Sequence, residues 1–258
     1  MKVAYEVVKA RRDQLAQLLA EHQYLPVAEV CRRFAVSEAT ARRDLAELER
    51  SHAITRTWGG ALGEYNQRFA SFRDRQQLQP EAKSRIARAA LALIKPDMTC
   101  YLDAGTSVYA LAEAIADDGP RPLTVVTNNL PVAKRLSEVE GIEVNLLGGQ
   151  LLRRQSTMLG DKTVTAARGW HCDLACFGAE GMDSRGLWNT SAEVVAVERA
   201  VARGATQTAF LVDAAKLGAQ APEFLLAWNH VDRLITDASS AELGLQRIAL
   251  PRRTLITC

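Results

Sequence analysis

Five short stretches of this sequence carry residue types suited to holding an anion that also bears hydroxyl groups. They are Asp103-Ala104-Gly105-Thr106-Ser107, Thr127-Asn128-Asn129, Gly148-Gly149, Gly178-Ala179-Glu180-Gly181-Met182-Asp183 and Asp213-Ala214-Ala215-Lys216. The first has the makings of a phosphate cradle. Gly105 lets the backbone come close, Thr106 and Ser107 supply hydroxyl donors, and a helix starting there offers free N–H groups. Asn129, near the next helix start, can donate an amide, and Lys216 can reach in as a point charge. Glu180, Asp183 and Glu193 are placed to accept hydrogen bonds from sugar hydroxyls. Any one of these turns also suits ordinary capping, because Gly, Ser, Asn and Asp are the standard turn residues. Five in succession at one edge make a stronger signal.

A different chemistry sits in residues 36–61, VSEATARRDLAELERSHAITRTWGGA. Ser37 can act as N-cap of a helix in which Ala41, Leu45 and Leu48 recur on one buried face. At 100° per residue, Ala39, Arg43 and Arg50 then point away from that face, with Thr40 and Arg42 on its flanks. Small residues and guanidinium groups on an outer N-terminal face suit a helix that enters a DNA major groove. Ile54-Thr55-Arg56-Thr57-Trp58 alternates and runs into Gly59-Gly60, a strand ending in a tight turn. Helix followed by hairpin is the winged form of the helix-turn-helix. The same pattern also describes a surface helix with a solvated charged face.

The elements that would position these residues follow from periodicity. Leu15, Leu18 and Leu19 mark a first helix over residues 5–22, and Pro26 fits the first turn of a second, Val27–Phe34, with Val30 and Phe34 inward. Ala35-Val36 is the turn before Ser37. Residues 63–82 are polar, carry two Gln pairs and Pro80, and read as a connector. Beyond it, strands are expected at Thr99–Asp103, Leu123–Thr127, Glu143–Leu147, Leu174–Gly178, Thr208–Asp213 and Arg233–Thr236. Helices are expected at Ser107–Ala116, Pro131–Val139, Lys162–Gly169 and Ala192–Ala202. Such alternation argues for a mostly parallel sheet covered on both faces, with ligands outside the carboxyl ends of its strands. All five stretches fall at those ends or at the following helix starts.

Composition narrows the classes. The 258 residues allow two domains, and 48% hydrophobic with 24% charged residues is ordinary for a globular chain. No apolar run approaches a membrane span and the N-terminus lacks a signal-peptide core, so a cytoplasmic protein is expected. Five scattered cysteines fit a reducing compartment. Residues 1–62 hold 10 Lys and Arg against 8 Asp and Glu, while the remainder holds 22 of each. The small net charge of +2 therefore lies on the segment that would meet DNA. His171-Cys172 with Cys176 has no second ligand pair, so buried thiols are expected there and no metal. Neither G-x-G-x-x-G nor a P-loop occurs, and no cofactor is expected. Trp58, Trp170, Trp188 and Trp228 do not cluster in sequence, which favours packing over base stacking.

The run VSEATARRDL…LER…ITRTWGGA resembles the N-terminal signature of the DeoR family of bacterial transcriptional regulators, in which Ser-x-x-Thr, Arg-Arg-Asp-Leu and Gly-Gly-Ala occur in this order and spacing. His52 stands where a helix-ending Gly is common, and Trp58 where the wing usually has His. SFRDR…EAKSRIARAA is similar to the family's interdomain segment, with Arg73 and Lys83 at recurrent positions. The later turns match the family's Asp-x-Gly-Thr-Thr/Ser, Thr-Asn-Asn/Ser, Leu-Gly-Gly and Asp-x-x-Lys. Asp97 departs, standing where a Gly usually precedes the first strand. The likeness covers roughly residues 11 to 237.

The resemblance implies an α/β protein. An N-terminal winged helix-turn-helix (residues 1–62) and a linker (63–82) lead to a Rossmann-like, mostly parallel effector and oligomerisation domain (83–258), similar in fold to ribose-5-phosphate isomerase. The function it implies is a DNA-binding regulator of a carbohydrate-metabolism operon, most often a repressor, that binds double-stranded operator DNA as a dimer or tetramer and answers to a phosphorylated sugar. The DNA contacts would come from Ser37, Ala39, Thr40, Arg42, Arg43, Arg50, Arg56, Trp58, Gly59 and Gly60. The effector would be held by Asp103 to Ser107, Thr127, Asn128, Asn129, Gly148, Gly149, Gly178, Glu180, Asp183, Glu193 and Lys216. A second reading is a sugar-phosphate isomerase with an appended DNA-binding domain, Glu180 and Glu193 serving as acid and base and Lys216 stabilising an enediolate.

Overall fold

The helical spacing of Leu15 with Leu19, and of Ala41 with Leu45 and Leu48, becomes one buried core that also takes in Leu25, Val27 and Val30. The computed structural model describes residues 5–22, 24–50, 54–56, 60–63, 72–219, 221–251 and 254–258. The chain divides into two units, Met1–Ala70 and Ser71–Cys258. In the first unit α1 (Tyr5–His22), α2 (Val27–Phe34) and α3 (Glu38–Arg50) are accompanied by β1 (Tyr24–Pro26), β2 (Ile54–Arg56) and β3 (Gly60–Gly63). The three strands form one antiparallel sheet in the order β1-β3-β2. The wing is therefore three-stranded: Leu25 pairs with Ala61, so Pro26 closes β1, extended at ψ 146°, and does not enter α2. Ser37 caps α3 as expected, its hydroxyl accepting from Thr40 N at 3.3 Å. Asp44, buried on the inner side of α3, accepts from Arg11 Nε at 2.7 Å and Arg12 Nε at 2.9 Å, fixing α1 against α3.

The second unit opens on two helices, α4 (Phe72–Gln76), inside the stretch that the sequence marked as connector, and α5 (Pro80–Leu91), which begins in that stretch and runs beyond it. Pro80 is the first helical residue of α5, where its missing N–H costs nothing, and Gln79 before it sits at φ 50°. α4 shows no period because it is barely more than one turn and buries one ring, Phe72, edge-on against Tyr109 at 5.4 Å.

The remaining elements alternate. β4 (Thr99–Leu102), α6 (Thr106–Asp118), β5 (Leu123–Thr127), α7 (Leu130–Ser137), β6 (Ile142–Leu146), β7 (Gln150–Leu152), β8 (Thr157–Leu159), α8 (Asp161–Arg168) and β9 (Cys172–Phe177) come first. β10 (Gly181–Asp183), β11 (Gly186–Asn189), α9 (Ala192–Gly204), β12 (Ala205–Leu211), β13 (Glu223–Ala227), β14 (Arg233–Thr236), α10 (Ser240–Leu245) and β15 (Leu255–Thr257) follow. A seven-stranded sheet runs β15-β14-β12-β9-β4-β5-β6, every pairing parallel. Its inner strands are largely apolar because both faces are covered, whereas the edge strand β6 leaves Glu143 and Leu146 exposed, and the buried strand residues divide by parity. Cys100, Leu102, Leu174 and Cys176 pack with α5, α6 and α7 through Ile86, Leu111 and Val132. Tyr101, Ala175, Phe177 and Phe210 pack with α8, α9 and α10 through Ala167, Val201 and Leu243.

Several pieces were not expected. The β7–β8 hairpin, the antiparallel sheet β10-β11-β13 and the edge strand β15 consist of only three to five residues each, too short for alternation to register. Asp97 adopts φ 66°, so the position preceding β4 needs the left-handed backbone that glycine would supply and Asp tolerates. Cys172 and Cys176 are buried in β9, and burial pushes the Cys172 thiol up to about 11. Among the described residues no helix is long and apolar enough to cross a membrane.

Candidate ligand site and nucleic-acid interface

Parallel strands end together, and at the carboxyl ends of β4, β9 and β12 their loops surround a cavity of ≈ 230 Å³. One wall is the turn after β4. Ala104, Gly105, Thr106 and Ser107 all line it, and α6 begins there with Gly105 as N-cap and no side-chain cap, so the first-turn N–H groups of a 13-residue helix face the cavity end. Gly105 lies against Gly178: a methyl added to Gly105 would stand 3.4 Å from Gly178 Cα, ordinary contact, but larger groups would enter the neighbouring backbone or the cavity. Asp103, the last residue before this turn, is buried and accepts from Tyr101 Oη at 3.3 Å and from the backbone N–H groups of Ala104 and Gly178. Burial raises its carboxyl, and those donors offset part of the rise.

The opposite wall is cationic. Arg75, Lys83 and Lys216 line it around Glu180. Glu180 Oε1 accepts from Arg75 Nη1 at 2.9 Å, and Oε2 is paired with the Lys216 ammonium. Burial would push the Glu180 carboxyl up, but Lys216 and Arg75 together hold it below the usual range. Lys83, 6% exposed, donates to the Arg75 carbonyl; burial pulls its ammonium down, with Asp213 opposing. Asn128, Gln155, Thr157, Asn189 and Thr190 complete the lining with amides and hydroxyls.

The structure thus brings Asp103 to Ser107, Asn128, Gly178, Glu180 and Lys216 together and leaves the other expected ligand residues elsewhere. Thr127 Oγ1 donates to Leu102 O at 2.6 Å and accepts from Asn129 N, joining β5 to β4. Asn129 caps α7, accepting from Val132 N at 3.1 Å, and its amide donates to Ser156 O, so that amide is not aimed at a ligand. Gly148 and Gly149 serve a close approach: Gly149 sits at φ 151°, where a methyl would stand 2.0 Å from Thr163 Oγ1, which itself donates to Gly148 O. Asp183 closes the β10–β11 turn, accepting from Arg185 N and Gly186 N. Glu193 is exposed in the first turn of α9 and does not line the cavity, although its neighbour Val194 does. Glu180, with an ion pair on each oxygen, is a held carboxylate and not a free hydroxyl acceptor.

Sequence reading missed Arg75, Lys83, Gln155, Thr157, Asn189 and Thr190, and, behind the wall, Glu198. Arg75 lies in the segment taken for a connector, Lys83 is the first residue after it, and Gln155 and Thr157 lie in and beside the short hairpin. Glu198 had a signal: it falls on the same helical face as Val194, Val195 and Val201, an apolar stripe where a lone carboxylate is out of place.

On α3, Ala39, Arg42 and Arg43 are exposed, and Thr40 is half-buried with its hydroxyl 3.0 Å from Ser37 Oγ. Arg42 pairs with Glu38 one turn earlier at 2.6 Å. Arg43 has no ion pair among the described residues. Arg50, Arg56 and Gly60 are placed in α3, β2 and β3 by backbone alone. Trp58, Gly59 and His52 lie outside the described residues.

Comparison with known proteins assigns both halves. Residues 11–65 match the family described as DeoR-like helix-turn-helix domain, and residues 78–238 match DeoR C terminal sensor domain. The chain is 34% identical over 224 residues to the HTH-type transcriptional repressor GlcR of Bacillus subtilis, covering 86% of each. It is 32% identical over 229 residues to the Glycerol-3-phosphate regulon repressor of Escherichia coli, covering 88% of this chain and 90% of that one. Among solved structures, ribose 5-phosphate isomerase A of Methanocaldococcus jannaschii matches at 18% identity over 54% of each chain, with a TM-score of 0.38.

Proposed function

The chain belongs to the DeoR family of transcriptional regulators, and on that premise we propose that its cavity is the seat of a phosphorylated sugar that governs the hold of the N-terminal unit on operator DNA. The single observation that carries this reading is the pairing of an uncapped helix start at Gly105–Ser107 with polar side chains around one cavity. A phosphate dianion needs several donors at once, and the N–H groups of α6 with the Thr106 and Ser107 hydroxyls supply them. Asn128, Gln155, Thr157, Asn189 and Thr190 offer the donors and acceptors that sugar hydroxyls require. Lys216 reaches the ligand from the opposite wall. A ligand anion there competes with Glu180 for Lys216, so binding rearranges a charge cluster that includes Arg75, five residues into the second unit.

In this reading the first unit presents Arg43 to base edges and Arg42 to phosphate, and at least two such units act together on one operator, in the cytoplasm. The protein represses genes of carbohydrate use, as the names of its relatives suggest for them. The test is a thermal-shift screen of phosphorylated sugars, since a ligand at a hundredfold its Kd stabilises by about 2.7 kcal/mol, followed by operator release watched by fluorescence anisotropy. Gly105→Val is expected to bind operator as wild type does and to ignore the ligand. Lys216→Ala is expected to weaken the ligand by about 1.5–3 kcal/mol, the worth of one charge-assisted contact. If both variants release DNA at wild-type ligand concentrations, the ligand sits elsewhere.

A further inference from the structure

Glu198 is 1% exposed, lies on the inner face of α9 and does not line the cavity. Its Oε1 accepts from Asn189 Nδ2 at 2.6 Å. Its Oε2 has no conventional partner, and what stands across from it is the carboxyl of Asp103. Two carboxylates do not share such a place without a proton between them. The groups facing Glu198 are Tyr101 from β4, Asp103 directly after it, Glu180 from the loop after β9, and Asn189 from β11. Among the described residues no cation pairs with it: Lys216 and Arg75 are taken by Glu180. Burial first, and Asp103 second, push its carboxyl well above the usual range.

We propose that Glu198 is the positioning residue of the ligand cavity, a neutral acid outside it that donates from Oε2 to Asp103, accepts from Asn189 at Oε1, and so holds three wall segments in register. Asp103 passes the restraint on, because it takes the N–H groups of Ala104 and Gly178 and thereby fixes the turn of Gly105 against the loop that carries Glu180. Asn189 passes it to the third wall, its Oδ1 accepting from Thr190 N at 2.8 Å. Loss of the proton would put a second buried negative charge beside Asp103 and part the segments. The cavity is therefore closed below the folded-state titration of Glu198 and loosens as pH rises through it. The ligand half of this proposal rests on the sugar-phosphate reading of the cavity.

The test uses the full chain and two variants, Glu198→Gln, which keeps a donor and an acceptor without a charge, and Glu198→Leu, which keeps neither. Hydrogen exchange needs no ligand: amides of residues 104–107 and 178–180 should exchange faster than wild type in the Leu variant and as wild type in the Gln variant at mildly acidic pH. Calorimetric titration with glycerol 3-phosphate, ribose 5-phosphate and glucose 6-phosphate gives the second readout. Whichever binds wild type should bind the Gln variant equally at mildly acidic pH and the Leu variant about tenfold more weakly, as expected for one lost buried partner. Toward alkaline pH the wild type should lose affinity relative to the Gln variant; the ligand phosphate titrates identically against both, so their difference isolates Glu198. A Gln variant that exchanges like the Leu variant, or that keeps the wild-type pH profile, overturns the proposal. Should none of the three sugar phosphates bind wild type while exchange behaves as described, the sugar-phosphate reading falls and the positioning role stands.

Discussion

Arg42 and Arg43 are neighbours in sequence, and the structure gives them different starting points. Arg43 is exposed and unpaired among the described residues, on the face opposite Ala41 and Leu45, while Arg42 pairs with Glu38. An Arg that reads a base edge loses a bidentate contact when removed, so Arg43→Ala should cost about 1–3 kcal/mol of operator affinity and relax base preference. Arg42 must leave Glu38 to reach phosphate, a small cost for an exposed pair. Arg42→Ala should weaken all sequences alike and reduce the salt slope by about one. Anisotropy titrations against operator and scrambled duplexes at several salt concentrations separate the two, and equal loss of specificity in both variants would reverse the assignment of faces. The same Arg-Arg-Asp-Leu run holds Asp44, which is the buried anchor of Arg11 and Arg12.

At the scale of elements, glycine means different things in turns that look alike. Gly105 lines the cavity, where we place the ligand phosphate; Gly149 leaves room for Thr163 and the Leu159 carbonyl, 2.0 and 2.6 Å from where a methyl would stand. Gly149→Ala should therefore destabilise the second unit by about 2 kcal/mol or more, and Gly148→Ala, with nothing within 4 Å, should stay within about 0.5 kcal/mol. Thermal melts of both check this, and a neutral Gly149→Ala would return the glycine pair to the list of candidate ligand turns. Leu-Gly-Gly and Asp-Ala-Gly both follow an apolar strand, so nothing local in the sequence tells them apart; the difference lies in which strand ends are neighbours. β4 and β9 are adjacent at the middle of the sheet, whereas β6 is its edge. The inner strands were legible because burial on both faces makes their runs apolar, and the carboxyl-end rule then pointed to Gly105, Asn128, Gly178 and Lys216. Arg75, Gln155 and Thr157 were not legible, because they sit in elements of three to five residues, too short for a period to show. Glu198 was legible only as an anomaly on an apolar stripe, since its partner Asp103 lies 95 residues away in sequence.

For the whole molecule the question is how a ligand held in the second unit changes what the first unit does. The first unit alone carries a small positive excess, 10 basic against 8 acidic residues in residues 1–62, and a single module of its kind buries only about 600–1,000 Å² against DNA. In the proposed function, operator-level affinity would come from two units held at the spacing of two half-sites, and a modest change in that spacing would be enough to lose one of them. A switch of this type is a coupling free energy, and coupling is reciprocal: a ligand that weakens operator binding by some factor must itself bind less tightly, by the same factor, to the operator-bound protein. A coupling of about 1–3 kcal/mol corresponds to roughly 5–150-fold in each direction. The measurement is calorimetric titration of the full chain with the best ligand of the thermal-shift screen, in the presence and absence of saturating operator duplex. It is set beside anisotropy titrations of operator with and without saturating ligand. Equal factors are expected, and Gly105→Val should abolish both together. If the ligand binds free and operator-bound protein with one affinity, the cavity is a ligand site that does not govern DNA binding, however tightly it holds its ligand.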